Sequence, residues 1–185
     1  MLPVEAHAFI SAPREEIFDL IADLTYRPAW TDHYEAGFRL ESVRTHGVGA
    51  AARYRLKAPF YKPWVETEIV EADRPSRLVE ATRGGRAGRT RGEVVFELFR
   101  QGRTLTRVAM TTRSEPGTPR EAVMEKLGAR RWLRRQSRIA LERLRTILEE
   151  GPERPLARAG VAAWEPSKAP RFGLHPGAGP GEASG

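Results

Sequence analysis

"SAPREEIFDLIADLTYRPAW", residues 11–30, decides how the chain is read. It follows a stretch in which Val4, Ala6, Ala8 and Ile10 alternate with Glu5, His7 and Phe9, the pattern of a strand with one buried face. Ser11 is placed to cap a helix, Pro13 to sit in its first turn, and Glu15 and Glu16 to favour the positive end of its dipole. Ile17, Leu20, Ile21 and Leu24 form an apolar stripe. Pro28 is expected to break that helix, with a second short helix or turn running through Trp30 to Tyr34. The stretch holds no nucleophile, metal-ligand set or phosphate loop, so Tyr26 and Trp30 need an explanation other than chemistry beside them.

Downstream, alternation predicts strands at about 38–44, 49–57, 63–72, 77–83, 91–101 and 104–113. Short turn-forming joins, THGVG, DRPS and QGR, suit antiparallel connections. Phe38, Leu40, Tyr54, Leu56, Val65, Thr67 and Ile69 share the inward set, continued by Phe96, Leu98, Val108 and Met110. A sheet with one wet face produces this pattern. Thr118, Pro119 and Glu121 then open a long helix to about Glu150, with Val123, Leu127, Ser137, Leu141, Leu144 and Leu148 on its apolar stripe. The order is α+β, and a curved antiparallel sheet of seven strands around a long C-terminal helix buries both apolar faces.

The stretches "APREEIFDLIADLTYRPAW", "GVGAAARYRL" and "EIVEADRPSRLVEAT", with the late strand pair before the helix, resemble the START / Bet v 1-like (SRPBCC) superfamily of the polyketide cyclase/dehydrase and lipid transport type. The resemblance covers residues 3–149 and implies the helix-grip fold, with two short helices after the first strand. It further implies a cavity between sheet and helix, with Tyr26, Trp30 and Tyr34 lining or capping its mouth, or Trp30 acting as a core anchor. The superfamily spans lipid carriers, receptors, aromatase/cyclases and co-chaperones, so function must be argued from the site.

The expected ligand-binding set is Tyr26, Trp30, Tyr34, Tyr54, Thr67, Phe96, Met110, Leu127, Arg130, Arg134 and Ser137. Tyr54 and Thr67 offer hydroxyls in an otherwise apolar pocket. At 100° per residue Arg130 and Arg134 fall on the helix's core stripe, where an unpaired charge is costly. They are expected to line a wet cavity and meet an anionic ligand head, to pair with Asp32 or Glu97, or to reach outward along their stems. Met124, Trp132 and Ile139 fall on the opposite face, where they would suit a homodimer contact.

Other motifs are weaker. "RGGRAGRTR", residues 83–91, places Arg86 and Arg89 on a Gly-rich hairpin, with little aromatic interleaving for nucleic acid and no G-x-x-x-x-G-K-[ST] pattern. The four histidines show no metal spacing, and Asp32 with His33 is the sole plausible acid–base pair. No catalytic residue and no cofactor is assigned.

Bulk properties agree with this reading. The 185 residues, 40% of them hydrophobic, suffice for one domain, residues 1–150. Residues 151–185 carry 13 Gly or Pro and read as a disordered tail, with Trp164 and Phe172 free to dock on the domain. No apolar run nears the length of a membrane span, no signal peptide is evident, and the absence of cysteine suits a cytoplasmic protein. The net charge of +7 rests almost wholly on arginine, which fits either an anionic partner or a coding bias toward arginine.

The leading expectation is a binding protein for a hydrophobic small molecule, neutral or anionic: a lipid, isoprenoid or polyketide. The alternatives are a polyketide cyclase/dehydratase that polarises a carbonyl with Tyr54, His33 or an arginine, and an interaction protein of the toxin or co-chaperone kind.

Overall fold

The computed structural model describes residues 2–59, 62–85, 88–117, 123, 128–151 and 156–161. Strand β1 (Val4–Ile10) leads into helix α1 (Arg14–Ala22), a single 3₁₀ turn (Leu24–Tyr26) and helix α2 (Arg27–Thr31). Six strands follow: β2 (Glu35–Leu40), β3 (Ala51–Leu56), β4 (Trp64–Asp73), β5 (Arg77–Gly84), β6 (Thr90–Arg100) and β7 (Thr106–Glu115). Helix α3 (Arg130–Glu149) closes the domain, and a two-residue strand β8 (Gly160–Val161) comes after it. The sheet order is β1-β7-β6-β5-β4-β3-β2-β8, antiparallel throughout except where β8 adds parallel to the edge of β2. This is the helix-grip arrangement expected from the sequence.

Alternation builds the core. The inward residues of β1 are Val4, Ala6, Ala8 and Ile10, all buried. They are mostly small, and α3 lies along this strand with Ser137, Ala140, Leu141 and Leu144 buried. Small side chains on both partners let the helix approach closely.

Several local expectations are corrected. Ser11 does not cap α1: the position before the helix is Pro13, and the Ser11 N–H instead donates to Glu149 Oε1 at 2.6 Å, tying β1 to the end of α3. Pro28 does not end α1 but sits in the first turn of α2, where its missing N–H costs nothing. The second strand starts at Glu35 rather than residue 38. Gly37, at φ 62°, makes a bulge that shifts the register between Ala36 and Arg39, so both Glu35 and Phe38 face inward.

The helix phase also differs. The regular helix begins at Arg130, and its buried face runs through Ser137, Ala140, Leu141 and Leu144 with Arg134 turned to the side of it. Val123 is exposed, Leu127 and Met124 lie outside the described residues, and Trp132 turns inward to pack on the core. The outward cluster expected of Met124, Trp132 and Ile139 therefore loses its largest member.

Part of the expected tail is ordered against the domain. The Ala159 N–H donates to the Thr25 carbonyl at 2.7 Å, and Arg158 both bonds the Tyr26 hydroxyl at 2.7 Å and lies 4.9 Å over its ring. Trp164 and Phe172 lie outside the described residues. No helix among the described residues is long and apolar enough to cross a membrane.

The helix phase is checked by two substitutions in urea unfolding. Leu144→Ala is expected to lose about 2–5 kcal/mol of stability, as for a large-to-small change in a packed core. Arg134→Ala, on the exposed face, is expected to stay within about 0.5 kcal/mol of wild type. Similar losses for the two would show that the helix sits in the other phase.

Candidate functional site

The site grows from α2. Three residues apart on this short helix, Arg27 and Trp30 both point into the protein. Trp30 is fully buried, its ring nearly perpendicular to Phe96 with centroids 6.2 Å apart. The Arg27 guanidinium lies 4.5 Å from the Trp30 ring centre and 5.6 Å from that of Phe96. Its Nη1 and Nη2 donate to the two carboxylate oxygens of Glu80 at 2.8 and 2.9 Å, and its Nε donates to Glu35 at 3.3 Å. Thr67 completes the Glu80 shell with a 3.2 Å hydrogen bond. Arg27, Glu35 and Glu80 are all buried.

Above this network lies a cavity of about 210 Å³ between the sheet and the start of α3. Arg27, Tyr34, Glu35 and Tyr54 form its polar end. Leu56, Val65, Val94, Met110, Trp132 and Leu133 supply apolar walls, and Gly84, Gly85, Arg91 and Arg113 also line it. Tyr34 stacks edge-on against Trp132, and Tyr54 lies nearly parallel to Phe38 at 5.6 Å. These contacts hold both phenols in place.

Electrostatics follow from burial. Desolvation works against the Arg27 charge, but Glu80 and Glu35 outweigh it and raise its pKa further. Burial pushes Glu35 above the ordinary carboxylate range. Arg27 pulls the other way, as do the Thr31 and Tyr34 hydroxyls, while the Glu80 charge adds to the rise. Burial and the Glu35 charge hold Tyr34 and Tyr54 well above the usual phenol range, so both remain hydrogen-bond donors.

Of the residues expected to meet a ligand, Tyr34, Tyr54 and Met110 line the cavity. Trp30 and Phe96 pack beneath its polar end as core anchors, and Thr67 is committed to Glu80. Tyr26 lies at the β2 edge under Arg158, away from the cavity walls. The Ser137 hydroxyl is buried among core residues and is not a cavity wall. Arg130 donates to the Pro3 carbonyl at 3.2 Å, and Arg134 is exposed. Neither arginine faces the cavity, nor pairs with Asp32 or Glu97, whose partners are Arg143 and Arg77. Together with Arg131, Arg135 and Arg138, Arg134 forms the outer face of α3. Leu127 lies outside the described residues.

Asp32 and His33 point apart, as sequence neighbours tend to. Asp32 pairs with Arg143, while the His33 Nε2 lies 3.2 Å from the Gln136 carbonyl. Burial lowers the His33 pKa, which leaves that nitrogen a neutral donor rather than half of an acid–base pair. Arg89 is exposed on the β5–β6 hairpin, and Arg86 lies outside the described residues. No group of three or more metal-ligating side chains occurs among the described residues.

The residues that sequence reading missed are Arg27, Glu35 and Glu80. Glu80 left a signal: with Leu78 and Thr82 it occupies the inward phase of β5, a carboxylate where an apolar residue belongs. Glu35 left none, because its inward position depends on the Gly37 bulge.

Arg27→Ala strands two buried carboxylates and is expected to cost about 3–5 kcal/mol in chemical denaturation. Glu35 has the opposite pH sign to a surface carboxylate. Its raised folded pKa means that the folded protein holds the proton more tightly than the unfolded chain. That stabilisation is complete below the ordinary carboxyl range and is lost as pH rises through the raised value. Glu35→Gln therefore gains on wild type as pH rises above the ordinary carboxyl range, and a constant difference between the two would refute the assignment.

The polyketide cyclase / dehydrase and lipid transport family matches residues 1–149. Among solved structures, a protein from Thermus thermophilus is 18% identical with a TM-score of 0.62, covering 82% of this chain and 99% of that one. A conserved protein from Geobacillus kaustophilus is 15% identical with a TM-score of 0.60, covering 80% and 96%. A START superfamily protein from Mycobacterium smegmatis is 13% identical with a TM-score of 0.57, covering 80% and 97%. No curated protein matches the chain. At these identities the structures share the fold alone, and the match over residues 1–149 carries the assignment: the chain belongs to the polyketide cyclase / dehydrase and lipid transport family, with START-like structural relatives.

Proposed function

We propose that the protein binds a small hydrophobic molecule in the cavity between the sheet and α3 and acts as a carrier or sensor for it. The observation that supports this best is the cavity itself: apolar walls from β3, β4, β6, β7 and α3, closed at one end by an organised polar cluster. Pockets that hold small apolar ligands have this composition, a greasy wall with a few placed polar groups. The family description, which names lipid transport beside cyclase and dehydrase activity, is consistent with it.

The ligand's charge is read differently from the sequence expectation. Arg27 is the arginine at the polar end, and each of its three nitrogens already donates to Glu80 or Glu35. Arg130 and Arg134 are directed elsewhere. An acidic head group at the polar end would meet the Glu35 carboxyl and an arginine already paired with Glu80, so the bound molecule is uncharged there.

The enzyme reading draws on one observation, the convergence of Glu35 with the two phenols of Tyr34 and Tyr54. Incubating the protein with a diketide or triketide thioester mimic and recovering the compound unchanged would set it aside.

Binding itself is checked by native mass spectrometry of the purified chain, followed by denaturing extraction, with Leu56→Trp as the control. Leu56 is a half-buried wall residue, and an indole there fills part of the cavity. The expected outcome is a co-purifying apolar compound whose occupancy falls about tenfold or more in the variant, with little change in Tm. A compound retained equally by Leu56→Trp would place binding elsewhere.

A further inference from the structure

The polar end of the cavity contains more acid than base. Arg27 and Glu80 close a two-pronged pair at 2.8 and 2.9 Å, and Thr67 satisfies Glu80 further. That pair is neutral and complete. Glu35 is left over. Its contact with Arg27 is a single, longer bond of 3.3 Å, made through one oxygen, Oε2. The groups facing it are Arg27 from α2, Thr31 and Tyr34 just before β2, Tyr54 from β3 and Glu80 from β5. Arg27 is the one cation among them, and it is already neutralised. A buried carboxylate without its own counter-charge takes up a proton rather than remain ionised.

Oε1 is the oxygen Arg27 does not touch, and the Thr31 and Tyr34 hydroxyls that favour the charge are the weaker influence beside burial. Glu35 is a wall of the cavity, and so is Tyr54. Glu35 pairs with Leu56 across the β2–β3 ladder, so Tyr54, two residues along β3, is its diagonal neighbour on the same face. The Tyr54 hydroxyl has no hydrogen-bond partner among the described residues, and its ring is fixed by stacking on Phe38. Two neutral donors on adjacent strands therefore face one apolar space.

We propose that Glu35, held as a neutral carboxylic acid, and the Tyr54 hydroxyl together grip one uncharged oxygen of the ligand, and that the cavity selects apolar carbonyl compounds over carboxylates and amines of the same size. Two donors match the two lone pairs of a carbonyl oxygen. A carboxylic acid kept neutral in an apolar site so that it can donate beside a tyrosine is a known arrangement in an unrelated enzyme. A carboxylate ligand would bring its charge into an apolar space where Arg27 is already paired with Glu80. An ammonium ligand would displace the Glu35 proton and sit against Arg27. This inference rests on the cavity reading above and names the ligand class for it.

The test uses the full chain at neutral pH with three eight-carbon probes: methyl hexyl ketone, octanoate and octylamine. Binding is followed by calorimetry and by the fluorescence of Trp132, a cavity wall. The ketone is expected to bind roughly tenfold tighter than either charged probe, about the difference made by one or two well-placed hydrogen bonds. Glu35→Gln keeps a neutral donor and retains ketone binding within about threefold, whereas Glu35→Ala and Tyr54→Phe each lose roughly tenfold. Infrared difference spectra of wild type against Glu35→Gln, without any ligand, are expected to contain a carboxylic-acid carbonyl band at neutral pH.

Tightest binding of octylamine, abolished in Glu35→Gln, would overturn the proposal by showing an ionised Glu35. Tightest binding of octanoate would overturn it by showing an available cation. If none of the probes binds while the infrared band is present, the cavity reading fails and the ligand class with it, but the neutral state of Glu35 stands. An absent band overturns the protonation whatever the probes do.

Discussion

The bidentate pair between Arg27 and Glu80 is the constraint on which the rest of the site depends. Neither charge has access to water, so each requires the other, and an arrangement that separates them leaves a buried ion uncompensated. This ties α2 to β5, elements more than fifty residues apart in sequence. The Trp30 and Phe96 rings are packed around the guanidinium, and their quadrupoles favour a cation there. Apolar residues in place of such a pair often leave a protein equally stable. The consequence of the pair is geometric: the short helix is held at one place and angle, and the far end of the cavity is polar but closed.

Closure of that network shapes what the cavity can recognise. An arginine at the base of a pocket usually suggests an acidic ligand. Here its charge is paired with the protein's own Glu80, so discrimination falls to cavity shape and to the groups around Glu35. The exposed arginines of α3 contribute to the net charge of +7 without entering the cavity. Charge on the surface and selectivity in the interior are thus separate properties of this chain.

Small departures from regular structure do much of the positioning. Gly37 places one extra residue in β2, and without it Glu35 would face solvent whenever Phe38 and Leu40 face the core. Trp132 and Leu133 face the cavity from the first turn of α3. Residues 156–161 lie along the β2 edge, with bonds to Thr25 and Tyr26 and with Ala159 packed on the core.

By itself the sequence determined the α+β order, the antiparallel strands from β3 to β7 with their inward residues, and the family resemblance. These depend on period-two and period-3.6 patterns that each segment carries locally. Tyr54 and Met110 were legible as inward residues on the same ground, and Tyr34 as a cavity residue through the family resemblance. Tertiary structure alone decided the rest: that Arg27 meets Glu80, that Glu35 turns inward, that Arg134 points out and Trp132 in, and that Asp32 leaves His33 for Arg143. The pairing of buried charges depends on which strands become neighbours, and one bulge inverts the face a residue presents. No window of sequence read alone contains that information.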